Sequence, residues 1–391
     1  MQSSSKTLLF VDNRAEYFVS HRLELAKAAR SAGYDVHVST LTAGDSQPIQ
    51  DAGLTYHSIA RGRRSGRLLE EARLIGRLRR LYATVRPALI HHVTLRAILY
   101  GGLLARQMRI PAVVNSVTGL GYLFSTDGVS ARTIQAMIGL VFRYCSARDR
   151  VVTIFQNTDD MALFVEKRWA KRDQAVLIRG SGVDLKVFPY HELADASRPL
   201  VLFPSRLLMH KGISEFVGAA QRLKNDFPNV SFAVAGDLDP DNPASLSEET
   251  LRRWTEQGNV EFWGYCDNMS TAYGQATIVC LPSYYREGVP KALIEAAATG
   301  RAIVTTNMPG CRELVVDGVN GLLVPPRDID ALTSALRALL NDLPRCREMG
   351  AEGRRVVEAG YSLSDVTTHT VALYERLLGS EKAGDNQHPV G

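Results

Sequence analysis

The first half of the chain alternates short apolar runs with stretches of helical spacing. TLLFVD (7–12), DVHVST (35–40), LTYHSI (54–59), ALIHHV (88–93), AVVNSV (112–117) and RVVTIF (150–155) read as strands buried on both faces. Val19 to Ala32 carries Leu23, Leu25, Ala26 and Ala29 at helical spacing and closes on Gly33. In 67–85, Leu74, Leu78, Leu81 and Val85 repeat at the same period and are expected in a core. This is the βαβα pattern of a doubly wound parallel sheet with helices on both faces.

The pattern breaks over 180–199, a stretch rich in Gly, Pro and Ser, and then restarts. Strands are expected at 201–206, 231–237, 260–265, 277–283, 302–307 and 321–326, with helices at 212–226, 246–257 and 290–299. Three helices follow, near 328–341, 345–358 and 362–378. The fold class is therefore α/β with two Rossmann-like domains, 1–180 and 181–361, facing across a cleft, and a tail over 379–391.

Composition narrows the class. At 391 residues with 45% apolar content, each domain can bury a core. The longest uncharged stretch, Ile110 to Thr126, holds Pro111, Asn115, Ser116, Gly119 and Gly121, which argues against a membrane span. No leader is read at the start of the chain. Five scattered cysteines without a CxxC pair point to neither a disulfide framework nor a zinc site, and a cytoplasmic location is expected. Charge is uneven: residues 1–180 hold 26 Lys and Arg against 14 Asp and Glu, and the remainder hold 20 against 27. The basic half points to a polyanion or an anionic membrane surface.

Candidate chemistry concentrates in 282–300, PSYYREGVPKALIEAAATG. Glu287 follows a strand. Gly288 lets backbone approach a ligand, and Pro290 opens a helix whose N-terminus suits an anion. Glu295 sits on an apolar helix and needs a partner there. Ribose hydroxyls would supply one, and a structural ion pair is the other reading. In SRLLMHKGI (205–213), Arg206 and Lys211 straddle a strand-to-helix turn, where two cations can neutralise a diphosphate leaving group. Burial is expected for Arg206. VAGD (234–237) again ends a strand with Gly236 and Asp237.

Together these residues resemble the retaining glycosyltransferases of the GT-B fold, family 4. The likeness covers nearly the whole chain: Glu287 to Glu295 as E-x7-E, GSGVD at 180–184, SRLLMHKG, AGD, EGVPKALIEA, PGCREL at 309–314 and NGLLVPP at 320–326. It implies a nucleotide-sugar donor in the second domain, and a UDP-linked one is expected. Arg206 and Lys211 would hold its diphosphate and Glu287 the sugar hydroxyls. Glu295 would meet the ribose, and Gly236 and the amides of Gly288, Val289 and Lys291 would complete the donor site. It also implies that the last helix crosses back to the first domain. HHVTLRAILYG with VNSVTGLGYLF resembles a subgroup that extends lipid-linked polysaccharide precursors. The first domain would supply the acceptor side, with His91, His92, Thr118 and Gly119 as candidates where the family pattern itself is altered, and with Asn13, Arg14 and Glu16 as candidates by position alone, a solvated loop being their other reading. Strand alternation puts one of the two histidines in the sheet packing and the other toward the cleft.

D-x-D matches at 237–241 fall in a turn-like loop, DLDPDNP, and the cation pair already supplies positive charge, so no metal or other cofactor is expected. The arginines at 61, 63, 64, 67, 73, 77, 79, 80 and 86 form a basic patch, with Arg73, Arg77 and Arg80 on one helix face. Three readings compete: a solvated helix face, nucleic acid, for which no motif is present, and an anionic membrane, which suits the patch best. Tyr122, Leu123 and Phe124 could insert beside it or pack on the neighbouring helix. Two rival functions remain: a GT-B nucleotide-sugar epimerase or hydrolase, and a non-catalytic sugar-nucleotide or polyanion-binding module.

Overall fold

Apolar runs bounded by Gly, Pro and polar turns form strands because strands buried on both faces exclude polar positions. The computed structural model describes residues 6–60, 68–121, 124, 128–193 and 197–379. The chain divides into two units, one running to Ser181 and resuming at Ser364, the other spanning Gly182–Leu363.

The first unit runs β1 (Thr7–Asp12), α1 (Ala15–His21), α2 (Leu23–Ser31), β2 (Asp35–Thr40), α3 (Gln47–Asp51), β3 (Thr55–Ser58) and α4 (Leu68–Val85). It continues with β4 (Leu89–Val93), α5 (Leu95–Gln107), β5 (Ala112–Val117), α6 (Val129–Ser146), β6 (Val151–Phe155), α7 (Thr158–Glu166) and β7 (Ala175–Leu177). Among the described residues these strands make one parallel sheet in the order β3-β2-β1-β4-β5-β6-β7. The order reverses between β1 and β4, and such reversals open a crevice at the carboxyl edge.

The second unit runs β8 (Leu200–Pro204), α8 (Ile213–Leu223), β9 (Ser231–Ala235), α9 (Glu248–Gln257), β10 (Glu261–Gly264), α10 (Met269–Gln275) and β11 (Ile278–Leu281). Then come α11 (Lys291–Ala298), β12 (Ala302–Thr306), α12 (Pro309–Arg312), β13 (Gly321–Val324), α13 (Ile329–Leu340) and α14 (Leu343–Gly360). Its parallel sheet is ordered β10-β9-β8-β11-β12-β13 and reverses between β8 and β11.

The last helix, α15 (Leu363–Gly379), joins the first unit. Its Val366, Leu373, Tyr374 and Leu377 pack with Phe10, Phe18, Val36 and Val38. On the opposite sheet face, Leu74, Leu78 and Leu81 of α4 pack with Ala97 and Leu104 of α5. Some features differ from the sequence reading, among them the short helices α10 and α12, which it did not expect. The 19–32 helix is two helices, broken at Arg22, whose side chain is buried. A seventh strand, β7, pairs with β6. Helix α8 starts one residue after Gly212, preceded by a 3-10 turn at Met209–Lys211.

Candidate active site

The loops after β8, β9 and β11 emerge side by side at the carboxyl edge of the second sheet, beside its order reversal. Backbone bonds tie them together. Leu207 N–H donates to Asp237 C=O at 2.9 Å, and Tyr284 N–H donates to His210 C=O at 3.1 Å. Two glycines permit this closeness. A Cβ on Gly236 would lie 1.9 Å from Ser205 O, and Gly212, at φ +83°, would place one 2.2 Å from Pro282 O.

Lys211 and Glu287 meet across these loops. Lys211 Nζ lies 2.6 Å from Glu287 Oε2, with side chains only 15% and 17% exposed. Ser283 Oγ donates to Glu287 Oε1 at 2.9 Å. The carboxylate is thereby held by one strand-end hydroxyl and one loop cation. The His210 ring lies tilted against Tyr285, 4.4 Å between ring centres. Burial first, then the neighbouring Lys211 charge, pushes the His210 pKa down to about 4, so it stays neutral near pH 7.

Arg206 is 55% exposed, not buried. Strand β8 ends at Pro204, and the turn carries the guanidinium outward to the largely buried Asp239 carboxylate. Asp239 is one of the D-x-D acids, and Asp237 accepts from Leu238 N–H at 2.9 Å. Among the described residues no group of three or more His, Cys, Asp or Glu could hold a metal ion.

Glu295 is buried on α11, as its apolar neighbours required. Its partners come from the protein: Tyr273 O–H donates to Oε2 at 3.1 Å and Lys291 Nζ lies 2.8 Å from Oε1. The structural ion pair of the sequence reading is therefore present. Burial and this carboxylate raise the Tyr273 hydroxyl pKa well above its ordinary value. Gly288 and Val289 are buried just ahead of α11, whose first turn closes on Pro290 C=O. The structure thus gathers Arg206, Lys211, Gly236, Glu287, Gly288, Val289, Lys291 and Glu295 into three neighbouring loops and one helix of the second unit. Sequence reasoning missed Ser283, Tyr273 and Asp239 as partners. Ser283 carried a signal, four residues before Glu287 in the same stretch.

In the first unit, Asn13, Arg14 and Glu16 follow β1, and Thr118 and Gly119 follow β5, all at the carboxyl edge. Asn13 Oδ1 accepts from Arg96 at 3.2 Å, and Arg96 pairs both oxygens of Glu71 at 2.8 and 2.9 Å. Arg14 Nε lies 3.6 Å from Glu16 Oε2. The two histidines correct the alternation argument, because neither ring faces open space. His91 bonds Tyr374 O–H at 2.6 Å and Ser116 at 2.6 Å; His92 bonds Tyr82 at 2.8 Å and Asn115 at 2.9 Å. Burial lowers the pKa of both, His92 to about 4. Both belong to the core.

Arg73 and Arg80 are exposed on α4, and Arg77 is half-buried, its Nε donating to Arg73 C=O at 3.3 Å. Arg61, Arg63, Arg64, Arg67, Tyr122, Leu123 and the tail from 380 lie outside the described residues. Among the described residues no helix is long and apolar enough to cross a membrane.

Comparison with known proteins adds to this geometry. Residues 190–356 match the model for glycosyl transferases group 1, and residues 7–156 that for glycosyl transferase 4-like proteins, together most of the chain. One relative is the N,N'-diacetylbacillosaminyl-diphospho-undecaprenol alpha-1,3-N-acetylgalactosaminyltransferase of Campylobacter jejuni subsp. jejuni serotype O:2. It is 27% identical over 291 residues, spanning 71% of this chain and 74% of that protein. Among solved structures, sucrose-phosphate synthase from Thermosynechococcus elongatus superposes with a TM-score of 0.78 at 20% identity, over 96% of this chain and 100% of the other. Anabaena Alr3699/HepE in complex with UDP-glucose gives 0.74 at 17% identity, over 96% and 99%. At these identities the structural likeness is one of fold, the GT-B architecture of two parallel-sheet α/β domains.

Proposed function

We propose, for a chain that belongs to the group 1 and 4-like glycosyl transferases, transfer of a sugar from a UDP-linked donor to a hydroxyl of a lipid-linked glycan, with retention of configuration. The carrying observation is the Lys211–Glu287 pair, with Arg206 on the same turn as Lys211, at the order reversal of the second sheet. A cation and a carboxylate on adjoining loops suit a donor with an anionic leaving group and a hydroxyl-bearing sugar. The UDP-glucose complex of the Anabaena protein supports the donor class, and the diphospho-undecaprenol acceptor named for the Campylobacter enzyme supports the acceptor class.

In this reading the bond from the sugar anomeric carbon to the β-phosphate oxygen breaks, and its electron pair stays on the diphosphate. Lys211 and Arg206 offset that charge. The acceptor oxygen bonds to the anomeric carbon from the same face, and its proton passes to the departing phosphate oxygen. No protein nucleophile or metal is required, because fixed cations supply the electrostatic stabilisation. Glu287 orients the sugar hydroxyls, and Glu295, held by Tyr273 and Lys291, meets the ribose. The enzyme would work from the cytoplasmic side, peripherally on the membrane that holds its acceptor.

A donor screen tests this directly. UDP-, GDP- and ADP-sugars are supplied with and without lipid-linked acceptor, and free nucleotide is measured. Acceptor-dependent UDP release is expected. UDP or an epimerised sugar formed equally well without acceptor would favour the epimerase or hydrolase alternative.

A further inference from the structure

A helix packed on a sheet normally presents a polar outer face, but that of α6 carries an apolar stripe beside its arginines. Its inner face buries Ile138, Phe142 and Cys145. Its outer face carries Met137 at 56% exposure, Leu140 at 66% and Tyr144 at 49%, with Ile134 and Val129 also exposed. Positions 137, 140 and 144 are spaced three and four apart, so they form one stripe. Single exposed apolar residues are ordinary, but a continuous stripe marks an interaction surface.

The charge carried by α5 and α6 themselves has one sign. Neither α5 nor α6 contains an Asp or Glu. Arg132 and Arg143 are exposed on α6, and Arg106 of α5 stacks over the Tyr144 ring at 4.4 Å. Helix α5 packs against both α4 and α6. The stripe therefore shares an outer helical layer with Arg73 and Arg80 of α4. A protein partner with an apolar patch would satisfy the stripe alone. An anionic bilayer satisfies stripe and arginines together, since acyl chains take the apolar side chains and headgroup phosphates take the guanidinium groups.

We infer that α6 is the element by which the first unit docks on an anionic membrane, Met137, Leu140 and Tyr144 entering the headgroup layer between Arg132, Arg143 and Arg106. The inference rests on the lipid-linked acceptor reading for its purpose, but its test reads binding and not transfer. The full chain is co-sedimented with vesicles of phosphatidylglycerol and phosphatidylcholine, or of phosphatidylcholine alone. Wild type is expected to bind the anionic vesicles. Met137→Asp with Leu140→Asp should lower that partition by about tenfold or more, since each lost methylene contact contributes to the apolar anchor. Both sites are exposed, so the thermal midpoint should not move. Arg132→Ser with Arg143→Ser should weaken binding to the anionic vesicles only.

Equal binding by wild type and the double aspartate variant overturns the inference. So does a wild type that ignores vesicles but forms a dimer that the aspartates disperse, which would assign the stripe to a second copy. Turnover on a soluble acceptor by a protein that ignores vesicles removes the docking and leaves the transfer reading. Vesicle binding without any transfer does the reverse.

Discussion

Replacing Lys211 by alanine removes the cation held 2.6 Å from Glu287 Oε2 and leaves that carboxylate with Ser283 as its described side-chain donor. Breaking a buried pair by deleting one partner costs about 3–5 kcal/mol. Water reaches both side chains here, at 15% and 17% exposure, so we expect roughly half of that, about 2 kcal/mol of stability. The transition state should lose more: removing one charge-stabilising donor costs about 2.7–4 kcal/mol, a rate loss of about 10²–10³. The two effects separate in Lys211→Ala combined with Glu287→Gln. The neutral amide leaves no uncompensated charge, so stability should return to within about 1 kcal/mol of wild type. Turnover at saturating donor should stay low. The assays are chemical denaturation and nucleotide release. Near wild-type turnover of the single variant, or turnover that recovers with stability in the double variant, would refute the donor-site role of Lys211.

Three further outcomes are expected. Activity should persist in excess chelator, because Asp239 is engaged by Arg206 and Asp237 by its neighbouring amide; abolition by chelator with rescue by Mn²⁺ would instead place a metal on that loop. Asp12, fully enclosed at the end of β1, has its pKa raised to about 7 by burial. It therefore keeps its proton when folded while the unfolded carboxyl loses it near pH 4, and stability from this group falls as pH rises from about 4 to 7, by roughly 4 kcal/mol. Asp12→Asn should remove that slope, and urea midpoints of the two proteins that stay parallel from pH 4 to 8 would contradict it. Arg73, Arg77 and Arg80 changed together to Ser should weaken binding to anionic vesicles by up to about 3 kcal/mol, with binding lost on adding salt; salt-insensitive binding of both proteins would leave them an ordinary solvated face.

Much of the architecture was legible because parallel strands buried on both faces read as unbroken apolar runs. The six expected strands of each half appear at their sites to within a few residues. β7 escaped because it is three half-buried residues at a sheet edge, too short for any period. The break at Arg22 escaped because the apolar spacing runs through it, while its backbone, at φ −131° and ψ −13°, leaves the helix. Within the site, Glu287, Lys211 and Glu295 could be named from local chemistry, since each stands on a strand-end loop or a short apolar helix. Their partners could not. Arg206 finds Asp239 33 residues away, and Glu295 finds Tyr273 22 residues away, through topology that no local window contains. The histidines fail for the same reason: Tyr374, 283 residues downstream, closes over His91 when α15 packs on the first sheet.

The central claim is transfer of a sugar from a nucleotide diphosphate to a lipid-linked acceptor, driven by the cations of the second unit. It is tested most directly with a UDP-sugar labelled in the sugar, incubated with lipid-linked acceptor and either wild type or Lys211→Ala. The account predicts label moving into the lipid fraction with one UDP released per sugar transferred, an unchanged anomeric configuration in the product, and a loss of about 10²–10³ in rate for the variant. Label remaining in free sugar or an epimerised nucleotide-sugar, or a product of inverted configuration, would contradict it.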